Sequence, residues 1–174
     1  MRFWSDVTVE PKLSFRWWAS FGRHPNEVSR YALRSFQKPS FEVAQSEYLN
    51  INDVAYRPGI LSWNAIEIMI TDMENPGENN TNKLYNMIKE SGYNTDRKGD
   101  EPQSAIEKAK AHAALGGQIM FSQINADGDI LEGWNLINPF ITAVNFGQAN
   151  YGAEEIMTIS LTLRYDYAKY TMSS

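Results

Sequence analysis

The stretch Met157-Thr158-Ile159-Ser160-Leu161-Thr162-Leu163-Arg164-Tyr165-Asp166-Tyr167 decides the fold class, because apolar and polar side chains alternate along its whole length. Successive side chains of a β-strand point to opposite faces, so we expect the odd-numbered residues to face inward and the even-numbered ones outward. The alternation from residue 155 to 167 spans about 43 Å, roughly twice the length of an ordinary strand. We therefore expect this strand to bend, or to pass from one sheet into another.

The rest of the chain also favours a β-rich fold with minor helix. Strands are predicted at 13–21, 31–36, 40–45 and 60–71, and a hairpin joins 118–124 to 130–134 across an Asp-Gly turn. Helices are predicted near 82–91, capped by Thr81, and near 103–115. Residues 46–58 show no regular period, and we interpret them as a long loop or an extended arm.

Composition limits the class of protein. The 174 residues suit one domain, 1–174, and an aromatic share of 13% favours strands. No apolar run is long enough to span a bilayer, and the first residues lack the apolar core of a signal peptide. With no cysteine and a net charge of −5 without a basic run, disulfides, thiolate chemistry and specific nucleic-acid binding are not expected.

No group of side chains predicts catalysis, a cofactor or a metal site. His24 and His112 stand alone in the sequence, without a second ligand at metal-binding spacing. The acidic residues at 125–129 resemble the start of a calcium loop, but two predicted strands flank them, which favours a plain hairpin turn. Glu154 and Glu155 are adjacent in the sequence and fit a solvated turn. The sequence therefore predicts a protein that is not an enzyme.

The order of elements resembles the tail tube protein family of T-even-type contractile-tailed bacteriophages, over roughly residues 12–168. The most specific part lies in the second half: the acidic-glycine turn at 125–129, Gly133-Trp134, Asn138-Pro139-Phe140-Ile141, and a closing strand that ends in Tyr165-Asp166-Tyr167. Trp63 matches the family's short tryptophan-bearing strand with some freedom of register. Residues 93–101 look like an insertion beyond the family pattern.

The resemblance implies a mainly β fold with minor α+β character. This fold is an antiparallel β-sandwich or partly closed β-barrel, flanked by a helix. It further implies that six copies close into a ring by joining their inner sheets, and that the rings stack into a hollow tube for DNA. Closing a ring would pair the open strand edges that otherwise invite aggregation. The implied partners are other copies of the chain, tail sheath and baseplate proteins, and double-stranded DNA that passes without specific binding. The implied location is the virion tail, assembled in the host cytoplasm, with no membrane and no cofactor.

Two sets of residues are candidates for assembly roles. The polar face of the last strand is expected to line the lumen, and an acidic side chain beside it is expected to give that wall a negative charge. The candidate lining residues are Thr158, Ser160, Thr162, Arg164 and Glu67. The arm at 46–58 is expected to contact the next ring, supported by an N-terminal arm at 1–12. Its candidate contact residues are Tyr48, Asn50, Asp53, Tyr56 and Arg57.

Three other functions remain open at this point. The chain could be a tube-initiating baseplate protein, or the inner-tube subunit of a contractile secretion machine. A ligand-binding β-barrel of the lipocalin type is a third alternative, and it would need an apolar interior cavity and a stable monomer. A hydrolase has no supporting constellation of residues.

Overall fold

The computed structural model describes residues 14–75, 77–93, 95, 106–152 and 154–172. The N-terminal arm predicted at 1–12 and residues 94 and 96–101 of the predicted insertion lie outside this description. Within it, the chain forms two four-stranded sheets, a separate two-stranded hairpin and two flanking helices. The strands are β1 (Trp17–Ser20), β2 (Leu33–Phe36), β3 (Phe41–Asn50), β4 (Asp53–Trp63), β5 (Ile66–Thr71), β6 (Gln118–Ile124), β7 (Ile130–Ile137), β8 (Phe140–Asn145), β9 (Thr158–Arg164) and β10 (Tyr167–Met172).

The two four-stranded sheets pack face to face as an antiparallel sandwich. The first has the strand order β1-β6-β7-β10 and the second β2-β5-β9-β8, and every pairing in both is antiparallel. Phe36 of one sheet stacks on Phe121 of the other, with ring centroids 4.3 Å apart. The predicted sandwich is confirmed. Among the described strands each sheet is open at both edges, so they do not form a closed barrel.

The alternating stretch 157–167 runs from the second sheet into the first, as its length predicts. Ile159, Leu161 and Leu163 of β9 are fully buried in the second sheet, and Tyr165 follows them into the core. The chain then continues as β10 at the edge of the first sheet. The inward assignment fails at both ends of the stretch: Met157 is 46% and Tyr167 41% exposed. Met157 precedes β9, and Tyr167 begins a new strand in a different sheet, so neither continues the alternation.

The strand predicted at 60–71 is two strands. Ile66, Ile68 and Ile70 are buried as expected, but β5 begins only at Ile66. Upstream of it the chain turns at residues 64–65, where the Asn64 amide donates to the Ser40 carbonyl at 2.9 Å. The strand predicted at 13–21 is shorter than expected as well. Arg16 has a left-handed φ of 71°, and the regular strand starts after it.

The region 46–58, predicted as a loop or extended arm, belongs to a long hairpin. Strands β3 and β4 pair from Phe41 opposite Trp63 to Asn50 opposite Asp53, with a two-residue turn at 51–52. A bulge shifts the register between Val43 and Gln45, and this irregularity hides the strand period in the sequence. Gly59 sits at the bulge, where a Cβ atom would lie 2.9 Å from the Ala44 carbonyl oxygen.

The two helices flank the sandwich. Helix α1 (Asn80–Glu90) buries Leu84 and Met87 in the core, and helix α2 (Lys108–Ala114) ends at two glycines with positive φ. The N-cap of α1 is Asn79, whose Oδ1 accepts from the Asn82 amide at 2.8 Å, and not Thr81 as predicted. Helix α2 covers only the later part of the predicted 103–115, of which 103–105 lie outside the described residues.

Candidate assembly surfaces

The residues predicted to line a lumen lie on one outer face of the second sheet. Antiparallel pairing places Glu67 opposite Thr162, and residues directly opposite each other share a face. Thr158 and Ser160 alternate with the buried residues of β9 and therefore share that face with Thr162. Arg164 is the last residue of the same row, at the end of β9 that lies near the β3–β4 hairpin. The structure thus brings all five predicted lining residues together on one surface.

This outer face carries few charges and is not the acidic wall expected from the sequence. At the outward positions of β5, β8 and β9, Glu67 carries the only carboxylate and Arg164 the only guanidinium, and the exposed Arg34 of the edge strand β2 adds a second guanidinium. The three hydroxyl residues of β9 are half-buried by their neighbours on the sheet. Hydroxyl groups with a few separated charges make a wetted surface without a continuous basic stripe that a phosphate backbone could follow.

The open edges of the second sheet are β2 and β8. Each strand is antiparallel to its neighbour, so across four strands β8 runs antiparallel to β2. The β8 edge of one copy can therefore pair antiparallel with the β2 edge of a second copy that has the same orientation. An open edge offers unpaired backbone donors and acceptors for such pairing.

Asp166 holds the crossover between β9 and β10 in place. Its carboxylate accepts from Asn138 Nδ2 at 2.8 Å and from Lys108 Nζ of α2 at 3.0 Å. The hydrogen bonds from Asn138 and Lys108 are the main reason that the pKa of Asp166 lies below its ordinary value. Its backbone amide also donates to the Ile137 carbonyl at 3.0 Å. The acidic residue of the Tyr165-Asp166-Tyr167 signature thus joins three parts of the chain.

The β3–β4 hairpin has one mainly apolar face and one mainly polar face. Register and strand alternation place eight apolar or aromatic side chains on the same face together with Gln45 and Glu47; the eight are Phe41, Val43, Leu49, Val54, Tyr56, Pro58, Leu61 and Trp63. Of these, Leu49 is 74% and Tyr56 62% exposed. The opposite face carries Glu42, Ser46, Arg57 and Ser62 among others. This amphipathic pattern is typical of a sheet whose apolar face packs on something.

Within the described residues the hairpin contacts the sandwich at its base. There Phe41 meets Trp63 at 5.3 Å between ring centroids, and Trp63 meets Tyr165 at 6.0 Å. Farther out, every strand residue whose side chain is described is exposed. An isolated two-stranded hairpin is marginally stable in water, so its apolar face has the character of an interface.

The predicted inter-ring residues divide between the two faces of the hairpin. Tyr56 lies on the apolar face, opposite Glu47. Tyr48 and Arg57 lie on the polar face, and Asp53 pairs with Asn50 beside the turn. The structure brings all five onto one projecting element, and only Tyr56 belongs to its apolar surface.

A second exposed surface lies in the β8–β9 loop, where no regular period in the sequence indicates it. Residues 147–151 and 155–158 border an open cleft of about 610 Å³. Tyr151 is fully exposed and Ile156 is 68% exposed. The loop leaves β8 at Asn145, which pairs with Ser160 near the start of β9. It therefore lies at the end of the second sheet opposite the β3–β4 hairpin, which adjoins Ile66.

The part of the chain that the structure describes contains no group of three His, Cys, Asp or Glu side chains that could hold a metal ion. His112 is buried, with Nδ1 3.0 Å from the Pro139 carbonyl oxygen and its ring against Phe140, which is a packing role. The turn at 125–129 is a hairpin turn, in which Asn125 Oδ1 accepts from the Asp127 and Asp129 amides. None of the helices in the described ranges has the length and apolarity to cross a membrane.

Comparison with known proteins is informative at the level of structure. The sequence matches no protein-family model and has no significant match among curated proteins. A chain of the anti-feeding prophage cap, a tube terminating cap, superimposes with a TM-score of 0.69 at 19% identity, over 98% of this chain and 97% of that one.

Two further structures come from an extracellular contractile injection system called PVC, in its extended state. A chain of its sheath/tube terminator gives a TM-score of 0.68 at 17% identity, over 95% of this chain and 99% of the other. A chain of its sheath–tube complex gives 0.64 at 16% identity, over 96% and 95%. Identities this low establish the fold alone. The chain therefore has the fold found in the tube-terminating caps and sheath–tube complexes of contractile injection systems.

Proposed function

We propose that this chain is a structural, non-enzymatic subunit of the tube of a contractile tail. Six copies close into a ring, and rings stack into a hollow tube. The observation that carries the proposal is the β3–β4 hairpin, whose mainly apolar face projects from the sandwich and is exposed within the described part of the chain. An exposed face of this kind favours assembly with other copies.

The second sheet supports ring closure. Joining the β2 edge of each copy to the β8 edge of the next gives an unbroken antiparallel sheet, since strand direction alternates throughout. Six copies would supply about 24 strands at a spacing of about 4.8 Å, which gives a backbone diameter of about 37 Å before strand tilt is included. Side chains narrow this channel and still leave room for a DNA duplex.

The polar face described above is then the lumen wall. Thr158, Ser160 and Thr162, with Glu67 and Arg164, would face the channel, while Ile159, Leu161 and Leu163 fill the core behind them. A wall of hydroxyl groups with few, separated charges releases few counterions when DNA passes, so the duplex slides without being held. We infer passage of double-stranded DNA without specific binding.

Stacking is assigned to the hairpin. Its apolar face, which includes Tyr56, packs on a subunit of the adjacent ring, and the N-terminal arm at 1–12 supports the same junction. The polar side chains of Tyr48, Asp53 and Arg57 would form the hydrated rim of that contact, a common arrangement in protein interfaces. Asn50, beside the turn, belongs to the same rim.

The proposed partners follow from a place inside a contractile tail. They are further copies of the chain, a sheath around the tube and a baseplate at its end. For a phage, the location is the virion tail, assembled in the host cytoplasm. The inner tube of a contractile secretion machine would use the same assembly surfaces with a different cargo.

The oligomeric state tests the proposal. Size-exclusion chromatography with light scattering should find particles of six chains of 19.9 kDa, and negative-stain microscopy should show rings and stacked tubes. A protein that stays monomeric at every concentration would contradict the proposed function. A ligand-binding barrel predicts such a monomer, but its closed barrel is not formed by the two open sheets.

A second candidate is a specialised end ring, either a terminating or an initiating one. It is favoured by the likeness to chains of a tube terminating cap and of a sheath/tube terminator, and of an anti-feeding prophage baseplate at a TM-score of 0.61 and 13% identity. An end ring would form single rings that add to a tube end without stacking indefinitely. Tube length at rising protein concentration separates this role from that of the repeating subunit.

A further inference from the structure

We propose that oppositely charged side chains join neighbouring copies within a ring. In this junction the β8–β9 loop of one copy docks beside the start of β2 in the next, pairing Glu154 and Glu155 with Arg30 and Arg34. The inference rests on the proposed ring and names the contact that closes it.

Strand pairing brings these segments to the same end of the second sheet. Leu33 at the start of β2 pairs with Ile70 near the end of β5, and Thr71 at that end pairs with Thr158 at the start of β9. The β8–β9 loop leads directly into Thr158. Because β2 and β8 are opposite edges of the sheet, the arginines and the loop lie on opposite sides of one copy, at the same end of its strands.

Copies related by a ring axis share one orientation, so the loop of one copy comes beside the β2 start of its neighbour. Arg30 belongs to a short 3₁₀ turn, Arg30–Ala32, that leads into β2, and Arg34 is the second residue of β2. Both arginines and both glutamates are exposed in the single chain. Each junction therefore places two cations opposite two anions.

These charges have no partners of opposite sign within the described part of the chain. The ion pairs there join Lys38 to Glu132, Lys83 to Glu78, Lys108 to Asp166 and Lys110 to Glu107. Arg30 contacts the face of the Trp18 ring at 5.1 Å, and Arg34 forms no ion pair. Glu154 and Glu155 likewise form none.

The two edges differ in charge over a wider range. Residues 30–38, which include the short turn and β2, carry three basic side chains, one of which already pairs with Glu132, and no acidic one, whereas 140–158 carry two acidic and no basic ones. Complementary potentials of this kind orient partners and suppress wrong pairings. Two exposed tyrosines, Tyr31 beside the arginines and Tyr151 in the loop, supply large contact area at the same place.

Charge reversal with compensation tests the junction. We expect Arg34→Glu and Glu155→Arg each to raise the concentration needed for half-maximal ring formation by about tenfold or more, because like charges then meet at every junction. The double variant, with both reversals, should assemble far better than either single one. Asp127→Arg, in the β6–β7 turn, makes the same charge change as Glu155→Arg and should leave ring formation unchanged. Sedimentation velocity measures the ring fraction.

Crosslinking supplies a readout that does not depend on affinity. The chain has no cysteine, so an Arg34→Cys, Glu155→Cys variant places one thiol on each side of every junction. A short bis-maleimide should convert rings into covalent ladders that stop at the number of copies in a ring. Ring formation without a ladder, or a double reversal no better than the single ones, would overturn the junction and leave the proposed ring intact. If the unmodified protein forms no rings, the proposed function and the junction fail together.

Discussion

At the scale of single residues, burial of alternate side chains in β9 fixes the fold. Ile159, Leu161 and Leu163 are fully buried, and Ser160 and Thr162 between them face outward. The sequence predicts this division correctly. Side chains alternate between the two faces of a strand, so the face that carries the apolar side chains is the buried one. The same rule misplaced Met157 and Tyr167, which lie where the strand has not begun or has changed sheets. The period of the sequence identifies the buried face of a strand, whereas the hydrogen bonds to neighbouring strands determine where the strand ends.

Replacing one of these buried residues by a carboxylate tests the face assignment. We expect Ile159→Asp or Leu161→Asp to lower the free energy of unfolding by about 4 kcal/mol or more, because either change buries an unpaired charge. Ser160→Asp, on the same strand and the opposite face, should cost about 1 kcal/mol or less. Denaturant unfolding measures both, and equal losses in the two kinds of variant would contradict the assignment.

Asp166 predicts a dependence of stability on pH. Its folded-state pKa lies below the ordinary 3.8, because Asn138 and Lys108 donate hydrogen bonds to the carboxylate. Its stabilising effect is therefore complete above the ordinary value and is lost as pH falls through the lowered one. We expect Asp166→Asn to lower Tm near neutral pH, with a difference that shrinks in acid. Asp127→Asn is the control, and a pH-independent difference for Asp166→Asn would show that the carboxylate's charge is not involved.

At the scale of elements, the crossing from β9 to β10 was predictable and the β3–β4 hairpin was not. The length of the alternating stretch alone requires a bend or a change of sheet. The hairpin contains Pro58, Gly59 and a bulge, which break the alternation of side chains by which a strand is recognised in a sequence. The cap of α1 was placed two residues late, since Asn79 and Asp72 together satisfy the first amides of the helix.

The two faces of the hairpin predict different effects of mutation. A Leu49→Ser, Tyr56→Ser variant removes apolar surface from the proposed stacking face, so we expect single rings or monomers in place of tubes. Stability should change by about 0.5 kcal/mol or less, because neither side chain packs on the sandwich. Tyr48→Ser, on the polar face, should leave tubes largely intact. Deletion of residues 50–57 should act like the double variant, and full-length tubes after that deletion would count against stacking by the hairpin.

At the scale of the whole molecule, the arrangement of edges and surfaces is compatible with the proposed repeating assembly. Alternating strand direction makes the β2 and β8 edges compatible. The hairpin and the β8–β9 loop project from opposite ends of the second sheet. The sequence predicted the lumen candidates because they follow a strand period, whereas the loop and its glutamates depend on which strands are edges. Edge position is a property of the complete sheet and leaves no local signal.

The proposed lumen wall leads to a prediction about transport. A Thr158→Lys, Thr162→Lys variant adds two cations per chain to a face that now carries few charges. Repeated around each ring, these lysines should bind phosphates and slow DNA delivery from assembled particles. Ser160→Thr, which keeps a hydroxyl on the same face, should deliver normally. Unchanged delivery by the lysine variant would mean that this face does not meet the DNA.

The most direct test of the central claim is a cryo-EM structure of the protein assembled at high concentration. The account predicts stacked rings in which β2, β5, β9 and β8 of each copy form one continuous sheet around the channel. Thr158, Ser160 and Thr162 should face the lumen, and the β3–β4 hairpin should lie against the adjacent ring. A lumen lined by the first sheet or by the helices, or a β3–β4 hairpin exposed to solvent within the tube, would contradict it.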